Sequence, residues 1–161
     1  MKRLAHFAII LLMAYPATGL FVSSCADEAD CSLDGRNHLQ CFMYRLDESN
    51  TMVRDTLDSL TVTAFYTDSV IINNIKDVHY IELPLRYTAD STVFVMHYSR
   101  IIRDTITVKH HNVPYFISMD CGYEMQQTIL ERKYTRHFLD TIALRNNNAN
   151  NNGQENFRLI H

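Results

Sequence analysis

The sequence predicts an all-β protein: a two-sheet antiparallel sandwich, immunoglobulin-like in general shape. Three observations predict it. Runs of four to eight residues rich in Val, Ile, Thr, Tyr and Phe recur at short intervals from His38 onward. The gaps between them carry Asp, Ser, Asn or Pro, the residues that build turns. Several runs alternate apolar and polar residues with a period of two, the pattern of a strand buried on one face. A closed barrel is the second architecture this pattern allows.

Leu39–Leu46 is the first expected strand. In Ser59–Tyr66, Leu60, Val62 and Ala64 share one face and Thr61 and Thr63 the other. Ser69–Asn74 and His79–Leu85 follow. Thr92–Tyr98 is apolar on both faces through Val93, Phe94, Val95 and Met96, so it is expected at the centre of a sheet. Thr105–His110 sets Ile106 and Val108 against Thr105, Thr107 and Lys109. Tyr115–Met119, Met125–Tyr134, Phe138–Leu144 and Asn156–Ile160 complete the set. Pro84 and Pro114 are expected at strand ends, where a missing N–H costs little. Met125–Lys133 could wind as a short amphipathic helix, but Thr128 and Ile129 favour a strand. Asn146–Gln154, with six Asn among nine residues, reads as a polar loop, and Asn156–Ile160 as an edge strand beyond it.

The chain ahead of the strands has a different texture. Lys2 and Arg3 precede an apolar run, Ala5 to Tyr15, broken only by His6; Pro16, Thr18 and Gly19 then loosen the backbone. The run is well short of the ~20 residues that span a bilayer. Leu20-Phe21-Val22-Ser23-Ser24-Cys25 resembles a bacterial lipoprotein cleavage site, with Cys25 as the cysteine that receives acyl chains such as palmitate. The expected organisation is a cleaved lipoprotein signal peptide over 1–24, an acidic tether over 25–37 and a β-sandwich domain over 38–161. Asp27, Glu28 and Asp30 read as a solvated tether. They also resemble the acidic tract that follows the cysteine in surface-exported lipoproteins of Bacteroidota.

Composition excludes some classes. The chain has 161 residues, 15 basic and 18 acidic. Loss of Lys2 and Arg3 with the signal leaves 13 basic residues and a net charge of −5 over 137 residues. That is one domain's length. Its mild acidity argues against nucleic acid, which requires a basic face. Four Gly give little material for a phosphate-cradling loop. The absence of Trp disfavours a sugar platform, although nine Tyr could serve.

No constellation of catalytic residues stands out. Beyond Cys25, Cys31, Cys41 and Cys121 allow three single bridges in an oxidising compartment, each leaving one thiol; Cys31–Cys41 closes the shortest loop. Cys121 as a nucleophile would need an orienting His, and no flanking signature supplies one. His38, His79, His97, His110, His111, His137 and His161 form no paired metal motif. His110 and His111 point to opposite faces of a strand. Pairing Met96 with Ile106 would also put His97 and His110 on different faces. Neither a metal nor another cofactor is expected.

Asp30-Cys31, Asp55-Thr56-Leu57, Thr67-Asp68-Ser69-Val70, Leu83-Pro84-Leu85, Ser118-Met119-Asp120-Cys121-Gly122, Thr128-Ile129-Leu130 and Asp140-Thr141-Ile142, in that order, resemble an uncharacterised family of Bacteroidota lipoproteins, a domain of unknown function. The resemblance implies a lipid-anchored envelope protein with a mostly β domain, and it favours Cys31 and Cys121 as the bridged pair. Six Asp-(Ser/Thr) tripeptides, each followed by an aliphatic residue or Thr, also resemble the acceptor motif of Bacteroidota O-glycosylation. Thr56 and Ser91 are the most loop-like acceptors, while turn chemistry followed by a strand start accounts for most copies.

The expected function is a lipid-anchored, non-enzymatic binding or accessory module at the outer membrane. It would be held to the membrane by its N-terminal lipid, with a protein or glycan partner and no nucleic acid. The alternatives are a structural subunit that adds a strand such as Asn156–Ile160 to a partner's sheet, and an extracytoplasmic hydrolase.

Overall fold

The computed structural model describes residues 36–161. The signal segment, Cys25 and Cys31 lie outside the described residues. Ten strands run in order: β1 (Leu39–Leu46), β2 (Met52–Arg54), β3 (Leu57–Ala64), β4 (Val70–Val78), β5 (Tyr80–Leu83), β6 (Ser91–His97), β7 (Arg103–Ser118), β8 (Gly122–Tyr134), β9 (Thr141–Leu144) and β10 (Phe157–Ile160). No helix occurs among the described residues, so Met125–Lys133 is strand.

The strands form two five-stranded sheets, as the alternating runs predict. One has the order β4-β3-β6-β7-β8, wholly antiparallel, with the doubly apolar β6 at its centre. The other has the order β2-β1-β10-β9. In it, β5 pairs with Leu39–Phe42 of β1 and β2 with Tyr44–Leu46, end to end along the same edge. One pairing, β1 with β10, is parallel. The inward faces make a single core. Leu39, Cys41, Met43, Phe157 and Leu159 come from one sheet, and Leu60, Val62, Phe94, Met96, Ile106 and Val108 from the other.

Three expectations are corrected. First, Asn156–Ile160 is not an edge strand. β10 is hydrogen-bonded on both sides, and Phe157, Leu159 and Ile160 are buried. Its four residues alternate too briefly to show how many neighbours they have. Second, Thr105–His110 and Tyr115–Met119 are one sixteen-residue strand that passes through Pro114. The His110 N–H donates to Asp90 on the β6 side at 2.9 Å. Alternation turns Pro114 to that same side, beyond Ser91, the end of β6, so its missing N–H removes no ladder bond. Third, the β6–β7 register is Phe94 with Ile106 and Met96 with Asp104, two residues from the expected pairing. A shift of two keeps every side chain on its expected face.

The Asn-rich segment is more ordered than a polar loop. Ala149 N–H donates to Gln127 of β8 at 2.9 Å, and Asn150 N–H to His38, just ahead of β1, at 3.0 Å. The segment therefore stitches an edge of one sheet to the other. Asn156, fully buried, donates through Nδ2 to the carbonyls of Asn146 and Asn148. Its short amide replaces the backbone partners these groups lack, which a longer side chain would overshoot.

Candidate functional site

At one end of the sandwich an apolar hollow of about 340 Å³ opens to solvent, walled by Phe65, Tyr66, Ile71, Pro84, Leu85, Arg86 and Val93. The end of β3 and the following turn supply Phe65 and Tyr66. The Asp68 N–H donates to Ala64, and Asp68 takes a φ of 50°, which short polar side chains tolerate. The rings of Phe65 and Tyr66 meet edge to face at 5.3 Å and both are exposed. A second basin, lined by Tyr66, Arg86, Asp90, Ser91 and Lys109, shares Tyr66 and Arg86 with the first.

The β5–β6 connection that carries Arg86 is fixed from below by a buried polar network. Asn112 Nδ2 donates to the carbonyls of Arg86, Tyr87 and Ala89 at 2.9–3.1 Å. Asn112 Oδ1 accepts from Gln127 Nε2 at 3.0 Å and lies 2.8 Å from His110 Nδ1. An amide oxygen only accepts, so His110 Nδ1 carries the proton. His110 Nε2 then accepts from the Thr92 hydroxyl at 2.9 Å, and Thr92 Oγ1 accepts the Arg86 N–H at 2.9 Å. Every polar atom of the His110 ring is thus used within the network. Burial lowers the pKa of His110; Asn112 and Asp90 partly oppose this. His110 is a neutral positioning residue with no nitrogen left for a ligand.

A second buried polar centre lies where the chain crosses between sheets. Asp104, with its side chain 0% exposed, accepts from the amides of His137, Phe138 and Leu139 and from the Thr135 hydroxyl, all at 2.7–2.9 Å. His137 Nδ1 lies 3.1 Å away. Burial disfavours the charge, but these donors outweigh it and the Asp104 pKa is lowered. The carboxylate faces protein donors only, so this is an anchor for the β8–β9 crossover and not an acid or base for a substrate.

The other sequence candidates are dispersed. Thr56 is exposed between β2 and β3. Ser91 is not in a loop: it opens β6, half-buried, opposite Lys109. Cys41 is a free thiol buried in the core, its pKa pushed up by that burial, which corrects its place among the candidate bridge partners. Cys121 is disulfide-bonded. His97 lies on the outer face beside Thr63, away from His110. Among the described residues no three His, Cys, Asp or Glu side chains converge to hold a metal.

The sequence reading missed Asp104, Asn112 and Gln127. The signal was present for Asp104 and Asn112: continuing the Ile106–Val108 alternation both ways puts Asp104, His110 and Asn112 on the inward face.

Beyond His110, β7 and β8 leave the sandwich as a two-stranded ribbon. It exposes Val113, Tyr115, Phe116, Ile117, Met119 and Tyr123, with Met119 90% and Tyr123 72% accessible. Phe116 and Tyr123 pack at 5.4 Å, and the Tyr115 hydroxyl donates to Glu124.

Comparison with curated proteins and with solved structures finds no match. Residues 59–161, from within β3 through β10, match a family of unknown function, DUF6452. The chain belongs to this family.

Proposed function

We propose that the protein is a lipid-anchored module of a Bacteroidota cell envelope, held at the outer membrane by acylated Cys25, that binds a partner and does not transform it. The observation that carries the binding reading is the hollow beside Phe65, Tyr66 and Arg86. Its walls are apolar, and the loop on its rim is held by His110, Asn112 and Gln127, so the site is formed before anything enters it. Arg86 lines both the hollow and the adjoining basin and puts a positive charge on their shared rim. That suits a protein segment presenting an apolar or aromatic side chain next to an acidic group. The buried titratable groups, Asp104 and His110, are fully engaged within the fold, which supports a binding role over a hydrolase.

The address rests on the Leu20–Cys25 motif. The bridge pattern that fits acylated Cys25 and free Cys41 is Cys31–Cys121. Thr56, exposed between strands, is the better-placed O-glycan acceptor.

A photoreactive amino acid at position 66 tests the site in intact cells, with position 101, which is 89% exposed, as control. A discrete adduct is expected at 66 alone, lost when Val93→Trp fills the hollow. Identical products from both positions would refute the site.

A further inference from the structure

We propose that the chain modifies itself at Asn152. The main-chain nitrogen of Gly153 closes on the Asn152 side-chain amide, and the resulting succinimide opens in water to aspartate and isoaspartate.

Seven asparagines lie between Arg145 and Phe157, and Asn152 alone among them is followed by glycine. A Cβ on the following residue crowds the ring closure, and glycine has none. Gly153 is exposed at a φ of 73°, with open space where a Cβ would stand. The fold also activates the amide under attack. The Gln154 N–H donates to Asn152 Oδ1 at 3.1 Å, sharing itself with Asn150 Oδ1 at the same distance. The bond to Asn152 closes a ring of atoms that contains the Gly153 nitrogen, so it folds the amide back over the attacking atom. It also sets a donor on the oxygen that turns negative as the new bond forms, as an oxyanion hole does.

Asn146 is an internal comparison. Its Oδ1 accepts the Asn148 N–H at 3.0 Å in the same arrangement, but the residue after it, Asn147, carries a Cβ. Asn150 and Asn156 are buried with their amides engaged.

In the first step the bond from Gly153 N to Asn152 Cγ forms, the Gly153 amide proton passes to water, and the Cγ–Nδ2 bond breaks to release ammonia. In the second, water adds to either ring carbonyl and the C–N bond there breaks. One opening gives aspartate. The other gives isoaspartate, whose main chain is longer by one carbon. No oxidant or reductant takes part. The extra carbon falls inside a clasp: Asn150 Nδ2 donates to the Gln154 carbonyl at 3.0 Å, and the Gln154 N–H returns a bond to Asn150. Asn150 in turn exchanges main-chain bonds with His38, at 3.0 and 3.1 Å. The modification thus loosens the tie between the Asn-rich segment and the chain ahead of β1 as the molecule ages.

Folded protein is held in mildly alkaline buffer at body temperature, sampled over weeks and digested under mildly acidic conditions. Fragmentation of the tryptic peptide 146–158 locates the change, and labelling by an isoaspartyl methyltransferase detects isoaspartate. Asn152 is expected to gain one nominal mass unit on the order of tenfold faster than Asn146, and to become methylatable. Aged protein is expected to melt below fresh Asn152→Asp protein, which carries the new charge without the extra carbon. Conversion in urea but not in the folded protein would mean that the fold protects the site, and overturns the proposal. Equal conversion across the asparagines overturns the roles of Gly153 and the Gln154 donor. Aged protein converted at Asn152 that melts with the fresh Asn152→Asp variant overturns the effect on the clasp.

Discussion

The Asp104 carboxylate accepts the Leu139 N–H at 2.9 Å across 35 residues of chain, joining β7 to the crossover that carries the chain from one sheet to the other. Asp104→Ala strips the amides of His137, Phe138 and Leu139 of an acceptor whose side chain is fully buried. Each buried donor left unpaired costs about 1–3 kcal/mol, so a loss of about 3 kcal/mol or more is expected in urea unfolding. Asp104→Asn keeps the volume but turns an NH2 toward donors, and should recover only part of that loss.

Acid weakens the fold in two stages. His110 and His161 have folded pKa values below the ordinary 6.5, both chiefly through burial. The unfolded chain therefore binds more protons there, and stability falls as pH drops below about 6.5. Asp104 has a lowered pKa, so its contribution persists above the ordinary carboxylate value near 4 and is lost below it. Urea midpoints measured from pH 7.5 to 3 should decline through both windows. Asp104→Asn should flatten the lower one. An unchanged midpoint between pH 7.5 and 5 would contradict the lowered pKa values of His110 and His161.

Pro114 lies mid-strand yet faces an edge without a partner. Pro114→Ala should change stability by less than about 1 kcal/mol. Val108→Pro should cost about 3 kcal/mol or more, because Val108 is paired with both Thr92 and Arg132. Circular dichroism melts of the two variants separate them.

The chain's last strand is a core strand. Leu159→Ala should cost about 2–5 kcal/mol, as for other fully buried leucines, and a chain ending at Glu155 should not fold. An edge strand would tolerate both changes far better. Proteolysis resistance of the two variants reads the difference.

Cys41 should resist maleimide in the native protein and react once in urea without reductant. Reaction at two or more sites before reduction would break the proposed bridge.

The strand texture, the two sheets and the centrality of β6 were legible because alternation and doubly apolar runs depend only on nearest neighbours in the chain. Sheet order was not. Whether Phe157–Ile160 has one neighbour or two depends on partners more than 100 residues away, as its register with Cys41–Tyr44 shows. Leu39–Leu46 kept its bounds, whereas β7 ran through a proline because the edge it faces is bare. The polar centres were half legible. Asp104 and Asn112 lie on an extrapolated inward face, but Gln127 on β8 becomes meaningful only once β7 and β8 are in register. The hollow was not legible at all: its walls come from four segments that meet only in the fold.

The proposed membrane address depends on acylation of Cys25. The intact mass of protein purified from native membranes tests it directly. The expected mass is residues 25–161 plus acyl chains, less two hydrogens for one bridge, with any glycan as a further discrete increment. A polypeptide beginning at Met1, or one beginning at residue 25 without acyl chains, would contradict it.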